Sequence, residues 1–156
     1  MRRILTACAL LMATSLCQAK VVTDKSNQFQ YEVPDTFTAA KGAGTVYLSP
    51  DHKIAVNSLL LPASANKKDL TLIAKEYSAA QEKTGNIPQR AGSIILGGSP
   101  GMAIEFQNAK RDTEISFITK SKQGIAILVL EFHAPITSNP SLFSQLVSRS
   151  FRWLIK

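Results

Sequence analysis

The sequence predicts an α+β domain, with a central antiparallel sheet of about six or seven strands flanked by helices. Three observations lead there. Apolar and polar residues alternate in short segments joined by brief turns, and short connections force neighbouring strands antiparallel. One segment, Ile125 to Phe132, is apolar on both faces and belongs in the middle of the sheet. Two other segments switch to helical spacing, and the double-sided strand calls for at least one helix on each face.

Phe29, Tyr31 and Val33 alternate with Gln28, Gln30 and Glu32, a half-buried strand stopped by Pro34-Asp35. The stretch before it, Lys20 to Ser26, is expected to be loose. Thr45 to Ser49 and Lys53 to Leu61 form a hairpin around Ser49-Pro50-Asp51-His52, where Pro suits the second position of a turn. Leu70, Ile73, Ala74 and Tyr77 then sit at helical spacing, with Asn66 as expected cap, Asp69 three residues on, and Gly85 as the stop. Lys67 and Lys68 fall in the first turn of that helix and oppose its dipole.

Strands follow at Ser93 to Leu96, Met102 to Asn108, Thr113 to Thr119 and Ile125 to Ala134. The turns between them are Gly97-Gly98-Ser99-Pro100-Gly101, Lys110-Arg111-Asp112 and Lys122-Gln123-Gly124. In the second of these strands Met102, Ile104 and Phe106 share one face. Asn139 caps a last helix with Pro140 at its first position, and Leu142, Phe143, Leu146, Val147 and Phe151 supply its buried stripe.

The first nineteen residues stand apart. Arg2 and Arg3 precede an apolar run from Ile4 to Ala13, and the stretch ends in Cys17-Gln18-Ala19. This pattern predicts a secretory signal peptide cut after Ala19, with a run too short to span a bilayer. Leu5-Thr6-Ala7-Cys8 has the letters of a lipobox but too little apolar run before it. Cys17 has the run, but Leu16 stands where a small residue is needed.

One domain, residues 20–156, follows the leader, and 156 residues with 45% apolar content allow no more than one ordinary domain and argue against disorder. Both cysteines lie in the leader, so the expected mature chain has no disulfide, no thiolate-bound metal and no thiol catalysis. Removing Arg2 and Arg3 from eighteen Lys and Arg leaves sixteen against eleven Asp and Glu, a net charge of +5. The basic residues are scattered and not interleaved with aromatics, so nucleic acid is not an expected partner, and a weak contact with anionic membrane surfaces is the most this charge suggests.

The order of these segments resembles the PsbP-like and DcrB-like family. The resemblance rests on Phe29-Gln30-Tyr31-Glu32-Val33-Pro34-Asp35-Thr36-Phe37, on Ser49-Pro50-Asp51, on the turn and strand from Gly98 to Glu105, and on a closing helix from Phe143 to Trp153 with Ser150-Phe151-Arg152. It departs from the family where Phe37 replaces a frequent Trp and Thr36 a frequent Gly. The resemblance implies a central antiparallel sheet flanked by helices. It also implies a scaffold for binding partners: members include an accessory subunit of the photosynthetic oxygen-evolving complex, a nuclear-transport GTPase cofactor, envelope proteins and chaperones for secretion effectors. It carries over no catalytic residue.

Candidate chemistry is sparse. Gly97-Gly98-Ser99-Pro100-Gly101 has the letters of a nucleophile elbow, and Asp112 and His133 follow in hydrolase order. A strand follows instead of the required helix, however, and Pro100 has no N–H for an oxyanion hole, so a glycine-rich hairpin turn is expected. Gly42-Ala43-Gly44 lacks the third glycine and the helix of a dinucleotide site. Glu131 and His133, two apart on one strand, share a face and could form an acid–base pair or a solvated strand end. His52 lies in a turn, and two histidines without clustered carboxylates make no metal site. Leu59-Leu60-Leu61-Pro62 is either core or an exposed edge for strand addition. The expected function is an exported, non-enzymatic binding or accessory module of the cell envelope that docks a protein partner or envelope component, without cofactor or metal. Its candidate surface is Leu59, Leu60, Leu61, Glu131 and His133. A carrier of a small apolar ligand is the alternative, and a small hydrolase using Ser99 or His133 the third reading.

Overall fold

The structure, a computed structural model, describes residues 18–26, 28–42, 45–64, 68–136 and 139–154. Residues 1–17, where the signal peptide is expected, the segment Ala43-Gly44, Asn66, Lys67 and Lys156 lie outside these residues. Among the described residues, ten strands and two helices follow in the order β1 (Ala19–Thr23), β2 (Phe29–Pro34), β3 (Thr38–Ala39), β4 (Val46–Leu48), β5 (Ile54–Pro62), α1 (Leu70–Lys83), β6 (Ile87–Leu96), β7 (Ser99–Gln107), β8 (Thr113–Ser121), β9 (Gly124–Phe132), α2 (Pro140–Ser150) and β10 (Arg152–Trp153).

Seven strands form the central antiparallel sheet in the order β3-β4-β5-β9-β8-β7-β6, as the turn lengths require. The doubly apolar β9 is its middle strand. A second sheet, β1-β2-β10, is an addition that alternation alone does not reveal. It packs with α2 on one face of the large sheet: Phe29, Tyr31, Val33, Val147 and Phe151 share a core with Val56, Leu128, Leu130 and Phe132. On the other face Ile73 and Ala74 of α1 pack against Ile104, Phe106, Ile118, Ile125 and Ile127, with Leu70 and Tyr77 at the rim. Each face thus has its helix.

Several local expectations need correction. The stretch Lys20 to Ser26 is ordered: β1 pairs with β2 along five residues, and the Asp24 carboxylate closes their turn by accepting from the amides of Ser26, Gln28 and Phe29. Asp69, not Asn66, caps α1 and accepts from the Thr71 amide at 2.7 Å, so Lys68 precedes the helix instead of opposing its dipole. β6 begins at Ile87, six residues before the expected start, because an exposed edge strand need not alternate. Pro88 is tolerated there beside a register shift between Pro88 and Arg90. Gly97 and Gly98, with φ of 58° and 79°, make the two-residue hairpin turn, and Ser99 to Gly101 already belong to β7.

The last helix ends at Ser150, and β10 then pairs with β2. Asn139 and Pro140 start it as expected. Leu142, however, is 65% exposed, since the helix turns Phe143, Ser144 and Val147 inward. Phe151 reaches the core from beyond the helix end.

Candidate functional site

α1 packs on β6, β7 and β8, and among the described residues no helix covers the β4, β5 and β9 part of the same face. The register fixes which side chains share that open part: Val46 and Leu48 from β4, Ala55, Asn57 and Leu59 from β5, and Val129 and Glu131 from β9. Of the three leucines singled out in the sequence, Leu59 is 50% exposed there. Leu60 points to the opposite face against the larger core, and Leu61 packs beside the α1 core. β4 reaches only Asn57, so from Ser58 onward β5 has no strand partner on that side among the described residues.

Glu131 and His133 meet at one end of this open surface. They line a cleft of 140 Å³ with Asn86, Asn108, Asp112, Thr113 and Glu114. The His133 amide extends the ladder by donating to the Lys53 carbonyl at 2.8 Å. Its Nδ1 lies 3.7 Å from Asp112 Oδ2. The Ala134 amide donates to Asp112 and holds its carboxyl below the usual carboxylate range against the opposing effect of burial, with help from Asn108 and His133.

Sequence reasoning missed Glu114. It lies directly across from Glu131 in the β8–β9 register. It is buried, and its carboxylate accepts from the Tyr77 hydroxyl (3.1 Å), the Ser116 hydroxyl (2.7 Å) and the Asn86 amide (3.0 Å). Gln81 donates to Tyr77 and accepts from Asn86, so this network ties the end of α1 to the sheet. Burial pushes the Glu114 carboxyl up, Ser116 and Tyr77 oppose that shift, and the Glu131 charge adds to it. Burial likewise pushes the Tyr77 hydroxyl to about 12. The available signal was the pairing itself: aligning Thr113 to Thr119 with Ile125 to Phe132 as a hairpin puts the two glutamates opposite each other.

A carboxyl raised in the folded state favours folding when protonated, and that contribution is lost as pH rises through the folded pKa. Glu114→Gln is therefore expected to be more stable than the parent at pH 7, with the difference shrinking as pH falls toward the ordinary glutamate range and levelling off below it. Urea unfolding at a series of pH values measures this. A gap that widens toward low pH would contradict the assignment.

The expected hydrolase set is not assembled. Ser99 lies at the end of the sheet where Gly101 pairs with Thr119 and Thr119 with Ala126, whereas His133 follows Phe132 at the other end. Ser99 is level with Gly124, and the nine residues from there to His133 span about 30 Å. Asp112 does reach His133, but Ser99 reaches neither. His52 is exposed in its turn at φ 57°. Among the described residues no group of three or more His, Cys, Asp or Glu could hold a metal ion, and no helix is long and apolar enough to cross a membrane. The two larger grooves described, 380 and 450 Å³, flank α2 and mix polar side chains such as Ser141, Gln145 and Arg149 with apolar ones such as Phe117, Leu142 and Leu146.

No protein-family model matches the chain, and no curated protein matches its sequence. Solved structures do resemble it. Cyanobacterial PsbP (CyanoP) from Synechocystis sp. PCC 6803 superimposes with a TM-score of 0.61 at 12% identity, over 87% of this chain and 92% of that one. LpqN of Mycobacterium tuberculosis, involved in cell envelope biogenesis, gives 0.57 at 12% identity, over 86% and 90%. The Ran-binding protein Mog1p of Saccharomyces cerevisiae gives 0.55 at 14% identity, over 87% and 95%. Likenesses at this level of identity establish the fold: the chain has the PsbP-like architecture that its segment order resembled.

Proposed function

We propose that this PsbP-like domain is a non-enzymatic binding or accessory module of the cell envelope, exported by residues 1–19, and that it docks a protein partner on the open β4-β5-β9 surface. The observation that carries this reading is the uncovered half of the sheet. Leu59 is half exposed there, diagonal to Val46 and Val129 across Asn57, while the other half of the face is sealed by α1. Exposed apolar surface rimmed by polar groups is a usual mark of a docking site. Glu131 and His133 form that polar rim, so a partner segment presenting apolar residues followed by a basic one fits best. The likeness to a Ran-binding protein and to a protein of envelope biogenesis supports a binding role by analogy of fold only. A docking role is favoured over a hydrolase because Ser99 and His133 stand at opposite ends of the sheet.

A photo-crosslinking amino acid at position 59 tests the reading in intact cells, with position 142 on the other side of the domain as control. The expected result is a discrete crosslinked species from position 59, absent from position 142 and lost when Val129→Asp is added. Equal labelling from both positions, or labelling indifferent to Val129→Asp, would remove the docking surface.

A further inference from the structure

The two edges of the large sheet are unequal. β3 closes one edge with two residues. β6 forms the other with ten, of which Ile87 to Ser93 and Ile95 are exposed. Protein edges are ordinarily protected by short strands, lysine, proline or bulges. Here Pro88 and the register shift next to it protect only the start of the strand. From Arg90 to Leu96 there is no proline and no lysine, and the single charge, Arg90, is held by Glu105 of the neighbouring strand at 2.6 Å.

The tight turn also fixes which backbone groups of this edge are free. In a two-residue hairpin the residues flanking the turn, Leu96 and Ser99, form a hydrogen-bonded pair, and such pairs then alternate along the ladder. Leu96, Ile94, Gly92 and Arg90 thus turn their N–H and C=O toward β7, and Ala91, Ser93 and Ile95 turn theirs outward. Pro100 fits this pattern, since it stands opposite Ile95 at a pair that exchanges no bond.

We propose that this edge pairs antiparallel with the same edge of a second copy of the chain, centred on Ser93, to give a two-fold symmetric dimer with a continuous sheet. The self-complementary sequence selects a second copy as the occupant. Pairing about Ser93 sets Ala91 opposite Ile95 on one face and Gly92 opposite Ile94 on the other, so each large side chain meets a small one. All three outward residues are then matched with outward residues of the partner, which joins the two edges by up to six backbone hydrogen bonds. Ile95, 71% exposed in the single chain, gains cover. A Cβ at Gly92 would meet nothing within 4 Å, so the sheet face above Gly92 has room for the Ile94 side chain set opposite it. This interface is separate from the β4-β5-β9 surface, so either can fail without the other.

Sedimentation velocity over a concentration series tests the proposal on the full chain. The expected result is a reversible dimer. Ser93→Pro removes an N–H that the single-chain fold does not use, and Ile95→Lys places a charge on the edge; each should weaken dimerisation at least tenfold while leaving the far-ultraviolet circular dichroism unchanged. In a chain carrying Cys8→Ser and Cys17→Ser, Ser93→Cys should form a covalent dimer on mild oxidation. Ala91→Cys should not, because its own counterpart would be four residues away, about 13 Å, beyond disulfide reach. A monomer at every concentration, a dimer indifferent to both edge substitutions, or equal crosslinking at 91 and 93 would overturn it.

Discussion

Phe151→Ala is expected to lower the unfolding free energy by about 3–5 kcal/mol, the range for deleting a fully buried aromatic ring. Phe151 has no exposed surface. Its ring stacks on Phe29 of β2 at 5.2 Å and meets Trp153 of β10 edge-on at 5.5 Å. It also fills the space beneath the β6–β7 turn, where a Cβ on Gly97 would come within 2.7 Å of its Cδ1. One side chain therefore joins the small sheet, the end of α2 and the large sheet, and the cavity left by alanine could not be closed by moving any one of them. Phe151→Leu should restore part of the loss. Urea unfolding followed by tryptophan fluorescence and circular dichroism provides the measurement, and a loss under about 1 kcal/mol would show that the layers are not joined there.

Gly124→Ala should cost about 2–4 kcal/mol, through backbone strain and overpacking together. Gly124 begins β9 with φ of 148°, a conformation that side chains disfavour. A Cβ there would stand 2.2 Å from the Leu61 carbonyl oxygen, which is backbone and cannot swing aside. The β5 and β9 strands would have to part where Pro62 pairs with Gly124. Gly42→Ala is the control: its φ is 78° but its surroundings are open, so only the conformational cost of about 1–2 kcal/mol applies. Equal melting temperatures for the two variants would refute the close approach.

The sheet was legible because its cause is local. Met102, Ile104 and Phe106 alternate, their turns are too short for anything but hairpins, and Ile125 to Phe132 can only be central. The small sheet was not legible, because β1 and β10 are too short to show a period and are held by partners far away in sequence. α2 was overextended for a related reason. Phe143, Val147 and Phe151 keep helical spacing, yet the chain leaves the helix at Ser150 and still delivers Phe151 to the core. At the site, the shared face of Glu131 and His133 follows from their spacing on one strand. Glu114 and Asp112 join them through pairing between strands and through the loop before β8, which no single segment records. The exposure of Leu59, against the burial of Leu60 and Leu61, depends on where α1 stops covering the sheet.

β2 lies between the first strand and the last, so Gln30 faces Thr23 on one side and Arg152 on the other. The first and the last of the described strands are thus both stitched to one early strand, and the second stitch comes from residues made long after β2. Until Arg152 and Trp153 emerge, Phe29 lacks both the ring of Phe151 and the edge of Trp153, and the layer built on β2 cannot latch. A polypeptide of this design remains threadable until that late strand has emerged and paired.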